Sequence, residues 1–403
     1  MEAHETNPKL SVGGGRLTVV ITSPFAIRVP DSVLDDLRER LARSRFADPT
    51  PGPPWAAGTD PGYLRELVRY WANGFDWRAV ERSLNAYPQY VADIDGGQVH
   101  FVHVPAVGPA KGFPLVLTHG WPSTFTEMLP LVGLLTDPGS HGADPADAFD
   151  VVIPSLPGYT FSDVRADAPA TEPVTAELWA KLMTDVLGYQ RFGAFGGDIG
   201  SGVSTWLGVL HPERVAGIFS HHPKYPPSER RTNLSPAEEA FVQGLSERGD
   251  EDGAYAHIQE TRPDTLAAAL IDSPVGLAAW IVEKFQRWGD CHGDVTSRFT
   301  MDDLLTMVTL YWATDCVGTS FRPYRDDSLT PALPLVQVPT GFILSVEDAG
   351  IPREFAERVY TDIRMWQEPS RGGHFIAIEE PELIADGLRT FFRPLRYHSD
   401  ATT

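Results

Sequence analysis

Cysteine is nearly missing from this sequence of 403 residues: the two present, Cys291 and Cys316, are too few for a disulfide framework. No tetrad of metal ligands can be assembled around them, so a reduced, cytoplasmic compartment fits best. Positive charge is equally short. The formal net charge of -21 would repel nucleic acid and anionic membrane surfaces, and neither is an expected partner. Long apolar runs are lacking as well: none approaches the roughly 18 residues that span a bilayer. Met1 to Gly15 has no charged start, apolar centre and cleavage pattern of a signal peptide. The expectation is a soluble globular protein with no membrane anchor, able at 42% hydrophobic to bury a large core. A small, neutral, apolar substrate is easiest to reconcile with the charge, and a homo-oligomer is left open.

What is present falls into five stretches. Residues 1–22, polar and broken by Gly13, Gly14 and Gly15, read as a flexible tail, with a short strand at Leu17 to Ile21. From 23 to 95 a helix after Pro30 puts Val33, Leu34, Leu37 and Leu41 on one face, capped at Asp31 or Ser32. Prolines at 49, 51, 53, 54 and 61 then stop regular structure, and helical runs resume at 63–72 and 77–84. This stretch reads as a meander laid over something larger. From 96 to 224 short, branched apolar runs at 99–104, 114–117, 151–153, 192–195 and 215–220 read as buried strands. Helices are predicted between them at 174–188, capped by Thr175, and at 201–210. Such alternation implies an α/β fold with a mostly parallel sheet. Between 225 and 331 the pattern turns helical, at 236–248, 264–271, 274–288 and 301–316, as an inserted cap would. From 332 to 398 a strand returns at 338–345 and a helix at 381–392 closes the chain.

The sharpest local signal is Gly196-Gly197-Asp198-Ile199-Gly200. It lies between an apolar strand and a helix, where small residues two before and two after one side chain permit a nucleophile elbow. The usual serine is here an aspartate. A serine needs a base before it attacks, whereas a carboxylate with a reference pKa of about 3.9 is already anionic at neutral pH. Being a weak nucleophile, it suits a strained or good-leaving sp3 carbon, such as an epoxide or an alkyl halide. The plainer alternative is an aspartate that merely caps a helix.

Three further groups fall where a sheet enzyme needs them. His119-Gly120-Trp121-Pro122 follows a strand directly, and can aim the Trp121 amide beside that of Ile199 as the two donors of an oxyanion hole. His374, in Arg371-Gly372-Gly373-His374-Phe375, is the one histidine of 12 that follows a glycine pair in a late loop. The order nucleophile, acid, histidine is that of α/β-hydrolases. For the acid that orients the imidazole, Glu347 and Asp348 both qualify by position. His221-His222 and Asp290-Cys291-His292-Gly293-Asp294 look metal-like, but neither has convincing third and fourth ligands, and satisfied or exposed histidines are the preferred reading.

With these residues in hand, the chain resembles a microsomal-type epoxide hydrolase of the α/β-hydrolase superfamily over roughly residues 24 to 393. The likeness is carried by Phe25-Ala26-Ile27 with Leu84-Asn85-Ala86-Tyr87-Pro88-Gln89-Tyr90, by His119 to Pro122, and by Ser155-Leu156-Pro157-Gly158-Tyr159. The elbow and Arg371 to Phe375, with Glu379-Glu380-Pro381-Glu382, complete it. The resemblance implies that Tyr255 and Tyr324 of the cap hold the epoxide oxygen, and it prefers Glu347 over Asp348 as the acid. It also implies a reaction without metal or cofactor. An epoxide and water become a vicinal diol: Asp198 forms an ester while the tyrosines stabilise the departing oxygen, and His374 then activates water. Rival readings are a haloalkane dehalogenase, which commonly has a Trp where Ile199 stands, and a ligand receptor that keeps the site without turnover. Family members serve detoxification, hormone turnover and natural-product tailoring, and the sequence does not choose among substrates.

Overall fold

The computed structural model describes residues 9–13, 16–20, 22–108, 111–346, 348 and 350–396. Its first elements are β1 (Lys9–Gly13) and β2 (Arg16–Val20), an antiparallel hairpin with Lys9 opposite Val20. Of the flexible tail expected over 1–22, residues 9–13 and 16–20 are strand, the second overlapping the short strand expected at Leu17 to Ile21, while 1–8, 14–15 and 21 lie outside the described residues. Leu10 and Val12, like Leu17 and Val19, alternate with polar residues, which is the period of a strand.

In chain order there follow β3 (Thr22–Phe25), α1 (Asp31–Ala42), α2 (Pro61–Asn73), α3 (Trp77–Leu84), β4 (Gln89–Ile94), β5 (Gly97–Val104) and β6 (Phe113–Thr118). Next are α4 (Pro130–Thr136), β7 (Phe149–Pro154), α5 (Glu172–Lys181), β8 (Phe192–Gly196), α6 (Ile199–Leu210) and β9 (Val215–Ser220). Six helices separate β9 from the next strand: α7 (Pro236–Asp252), α8 (Ala254–Thr261), α9 (Pro263–Leu270), α10 (Pro274–Trp288), α11 (Met301–Ala313) and α12 (Arg322–Asp326). The chain closes with β10 (Thr340–Ile343), α13 (Arg353–Glu357), β11 (Ile363–Gln367), α14 (Ile376–Glu379) and α15 (Pro381–Phe392).

Nine strands form one sheet in the order β11-β10-β9-β8-β6-β7-β5-β4-β3. The six from β11 to β7 are parallel, and β5, β4 and β3 are added antiparallel. The sheet therefore begins before residue 96, inside the stretch expected to be a meander. β3 escapes notice because Pro24 sits within it, which is tolerated because β3 is an edge strand.

The parallel strands β6 to β10 are buried on both faces, which is why they read as unbroken apolar runs; β11, at the sheet edge with Arg364 and Gln367 exposed, has no such run and goes unread in the sequence. Leu115, Leu117, Val151, Ile153, Phe195 and Phe219 join residues of α4 and α15 on one face. Val116, Val152, Ala194 and Ile218 join α5, α6 and the inserted helices on the other. Local signals shift some boundaries. The helix expected from 174 begins at Glu172 with Pro173 in its first turn, and Thr175 is no cap: its hydroxyl donates to Thr171 O at 3.2 Å. No side chain caps α1 either, Asp31 being its first residue. Of the strand expected over 338–345, β10 takes up Thr340–Ile343, with the Leu344 and Ser345 N–H groups still donating to Gln367 O at 2.9 Å and His221 O at 3.2 Å beyond it. The start of α10 is as read, with Ser273 Oγ accepting from the Gly276 N–H at 3.0 Å and Pro274 at the first position.

The inserted helices cover the C-terminal ends of the parallel strands. They are held from below by Tyr159, whose Oη donates to Ser320 O at 3.0 Å, and by Tyr311, whose Oη donates to Ser123 O at 3.2 Å. From the N-terminal side Trp71 Nε1 donates to Thr309 Oγ1 at 3.0 Å and Thr59 Oγ1 to Ala279 O at 2.6 Å. Among the described residues no single helix is long and apolar enough to cross a membrane.

Candidate active site

Asp198 stands between β8 and α6 with φ 52° and ψ -125°, a backbone conformation L-residues rarely adopt and one that costs about 1–3 kcal/mol. The neighbouring glycines make the turn sterically feasible. A Cβ on Gly196 would lie 2.3 Å from the Gly200 carbonyl carbon, and one on Gly200 would lie 2.0 Å from Thr118 O. The strained turn holds the carboxylate at the mouth of a cavity of about 520 Å³, which also takes in Ile199, His222, Tyr255, Tyr324, Asp348 and His374.

The Trp121 N–H donates to Asp198 Oδ1 at 2.8 Å, so the loop after β6 reaches the carboxylate as its position suggested. Its shape comes from a buried scaffold. His119 Nε2 accepts the Leu156 N–H at 3.1 Å and its Nδ1 lies 3.1 Å from Gly120 O, which fixes the Nδ1–H tautomer; burial lowers its pKa to about 4. Ser123 bonds the buried Glu127, whose carboxyl is pushed up to about 8 by desolvation. Ile199, first residue of α6, lines the cavity beside Asp198.

Tyr255 on α8 and Tyr324 on α12 meet over the carboxylate with ring centroids 6.0 Å apart. The indole of Trp121 lies flat on Tyr255 at 5.3 Å and edge-on to Tyr324 at 5.8 Å, so one side chain orients both phenols. Lys284 Nζ stands 4.5 Å from the Tyr255 ring centroid. Burial holds the Tyr324 hydroxyl well above its ordinary pKa, helped by Tyr255 and Asp198, and so it stays a neutral donor.

His374 follows β11, its N–H donating to Trp288 O at 2.8 Å, its ring 5.0 Å from the Trp288 ring and 5.9 Å from that of His222. Burial lowers its pKa to about 4 against the opposing pull of Asp198; His222 lowers it and Asp348 raises it. The imidazole is therefore neutral, the form that accepts a proton. The loop that carries it is clamped by Glu379, which accepts N–H bonds from Asp290 at 2.8 Å, Gly373 at 3.0 Å and Phe375 at 3.1 Å. Asp290, from the cluster that looked metal-like, accepts from Gly372 N–H at 3.0 Å and from Arg298 at 2.7 Å. That cluster is a brace. Among the described residues no group of three His, Cys, Asp or Glu could hold a metal ion.

Of the two candidate acids, Glu347 lies outside the described residues. Asp348 is at the cavity wall, accepting from Ser345 Oγ at 3.1 Å, with Oδ2 3.6 Å from His222 Nδ1. Burial raises its pKa to about 6.

His222 lies just past β9 and is a satisfied histidine, as expected, but its place in the site is what the sequence reading missed. It is no incidental histidine at a strand end: its Nε2 accepts the Asp198 N–H at 2.6 Å, while its own carbonyl accepts from Ser201 Oγ at 2.6 Å. The available signal was its position just past β9, the neighbour of β8, where a residue must lie close to the elbow.

Residues 22–128 match the family model described as epoxide hydrolase N terminus, and 114–251 match that of the alpha/beta hydrolase fold. Epoxide hydrolase 1 of Sus scrofa is 34% identical, over 91% of this chain and 88% of the pig protein. The crystal structure of juvenile hormone epoxide hydrolase from the silkworm Bombyx mori superposes with a TM-score of 0.85 at 27% identity, covering 96% of both chains. Aspergillus niger epoxide hydrolase gives a TM-score of 0.79 at 30% identity, over 92% of this chain and 96% of that one. With a carboxylate at its elbow and two phenols facing it, the chain belongs to the epoxide hydrolases of the α/β-hydrolase fold.

Proposed function

We propose that the chain hydrolyses an epoxide to a vicinal diol through an ester on Asp198. The observation that carries this is the strained Asp198 carboxylate, held by the Trp121 amide at 2.8 Å in a cavity shared with Tyr255, Tyr324 and a neutral His374. Asp198 attacks an epoxide carbon, the C–O bond breaks, and the alkoxide takes a proton delivered by the phenols. His374 then removes a proton from water as its oxygen adds to the ester carbonyl, and the Trp121 and Ile199 amides receive the oxyanion. Collapse expels the diol, whose second oxygen takes the proton held by His374, and leaves one water-derived oxygen on Asp198, whose proton returns to the phenols.

The role of orienting His374 falls to Glu347 in this reading. Its support is that Asp348 is already committed to Ser345 and lies near His222. A dehalogenase is disfavoured because Ile199 offers no halide donor from its side chain. A single turnover in heavy-oxygen water tests the covalent route: the first diol should carry unlabelled oxygen and the Asp198 peptide should gain label. Label passing straight into the diol would sink it.

We further infer a cytoplasmic enzyme of detoxification or natural-product tailoring, a reading favoured by the two buried free thiols, Cys291 and Cys316. Recovery of the native protein in a membrane fraction would count against it.

A further inference from the structure

One ion pair in the cavity wall takes no part in the two chemical steps. Lys224 Nζ lies 2.7 Å from Glu172 Oε1, with side chains 35% and 14% exposed, and both residues line the cavity that holds Asp198. Removing two charges from most of their water is costly, and a pair in this setting returns that cost only when its remaining donors and acceptors are used.

The pair is built into the frame of the elbow. Glu172 opens α5, and its carboxyl rests on Gly202 of α6, where a Cβ would stand 1.9 Å from the Glu172 carboxyl carbon. The Lys224 N–H donates to Tyr360 Oη at 3.0 Å, and that hydroxyl pairs with Thr205 Oγ1 of α6 at 2.9 Å. Both ends of the pair are thus referenced to the helix that begins at the nucleophile.

Its chemistry is that of a donor. An ammonium has three N–H groups, and among the described residues Glu172 is the only hydrogen-bond partner of this one. Glu172 cancels its charge, while Asp198, Asp327 and Asp348 line the same cavity. A substrate carboxylate entering there would meet more negative than positive charge. An uncharged oxygen would meet an open N–H.

We propose that Lys224, held by Glu172, is a specificity-determining residue that donates a hydrogen bond to an uncharged oxygen acceptor, a carbonyl or ether, which the epoxide substrate carries apart from its ring. The proposal rests on the epoxide hydrolase reading. It is tested with four epoxides on one carbon skeleton, ending in a methyl ester, an alkyl group of equal length, a carboxylate and an ammonium. The ester should exceed the alkyl and carboxylate compounds in kcat/KM by about tenfold, the scale of one hydrogen bond to a charged donor. In Glu172→Gln/Lys224→Met, which removes both charges with little change of volume, the preference should shrink to within about twofold. Equal turnover of ester and alkyl compounds by the wild type, a preference for carboxylate or ammonium, or an ester preference that survives in the double variant each overturns it. Calorimetric binding of the four to Asp198→Asn separates the two readings. Absence of turnover with a retained ester preference in Kd refutes the activity alone, and turnover without that preference refutes the role of Lys224 alone.

Discussion

Replacing the two cap tyrosines by phenylalanine should slow formation of the ester and leave its hydrolysis alone. The change is clean because the rings, not the hydroxyls, make the packing: Tyr255 stacks on Trp121 at 5.3 Å, Tyr324 meets Trp121 edge-on at 5.8 Å, and both rings survive in phenylalanine. What is lost is one donor to a developing alkoxide. A hydrogen bond to a charged group contributes about 1.5–3 kcal/mol, so each single variant should lower the alkylation rate roughly 10- to 150-fold. The two phenols touch and serve one oxygen, so their losses should not simply multiply, and the double variant should alkylate more slowly than either single one. Rapid-quench single turnovers, with mass spectrometry of the Asp198 peptide, read the alkylation rate directly. Thermal unfolding should shift little for either variant. If Tyr255→Phe and Tyr324→Phe alkylate within threefold of wild type, the phenols are packing residues and the reasoning fails.

His374→Gln should do the reverse, because a carboxylate attacks without a base: alkylation proceeds, water is not activated, and ester accumulates toward one per active site. A variant that forms no adduct on a substrate the wild type consumes refutes this division. Glu347→Gln should slow deacylation strongly and Asp348→Asn much less; the opposite ranking moves the orienting role to Asp348. Stability should fall in acid. His100 is lowered to about 3 and His119, His222 and His374 to about 4 by burial, so between pH 6.5 and 4 the unfolded chain binds protons that the folded chain refuses. Glu127, raised to about 8, and Asp348, raised to about 6, act the other way, since their folded forms hold protons the unfolded chain releases. His221, lowered well below its ordinary value by burial, joins the histidines, and Glu172 and Glu379, raised by burial, join the carboxyls; five histidines against four carboxyls leave a net uptake of protons on unfolding near pH 5. Urea midpoints at pH 7 and pH 5 check this, and equal midpoints would refute it.

The turn that presents Asp198 was legible in the sequence because an elbow is a local device. Two glycines at fixed spacing and an apolar run on either side specify the turn whatever lies around it, and Asp198 in place of serine dictates ester chemistry. The parallel strands β6 to β10 were legible for a similar reason, since burial on both faces leaves runs such as Leu115 to Leu117 with no polar residue, whereas β11, with Arg364 and Gln367 exposed at the sheet edge, was not. His374 and the Trp121 loop could be placed by chain order and by glycine and proline punctuation. Tyr255 and Tyr324 could not be found by pattern, because they sit on two short helices 69 positions apart and become a pair only when the cap folds over the strand ends. The same holds for His222, for the Lys224–Glu172 pair, and for Asp290 bracing the His374 loop: each contact joins residues between 24 and 89 positions apart, with no periodicity to betray it. Local geometry thus singled out the carboxylate and the histidine that the proposed mechanism uses. The tertiary structure alone decided what faces them, because the groups around a reacting centre are brought together by packing of distant elements, which sequence spacing does not encode.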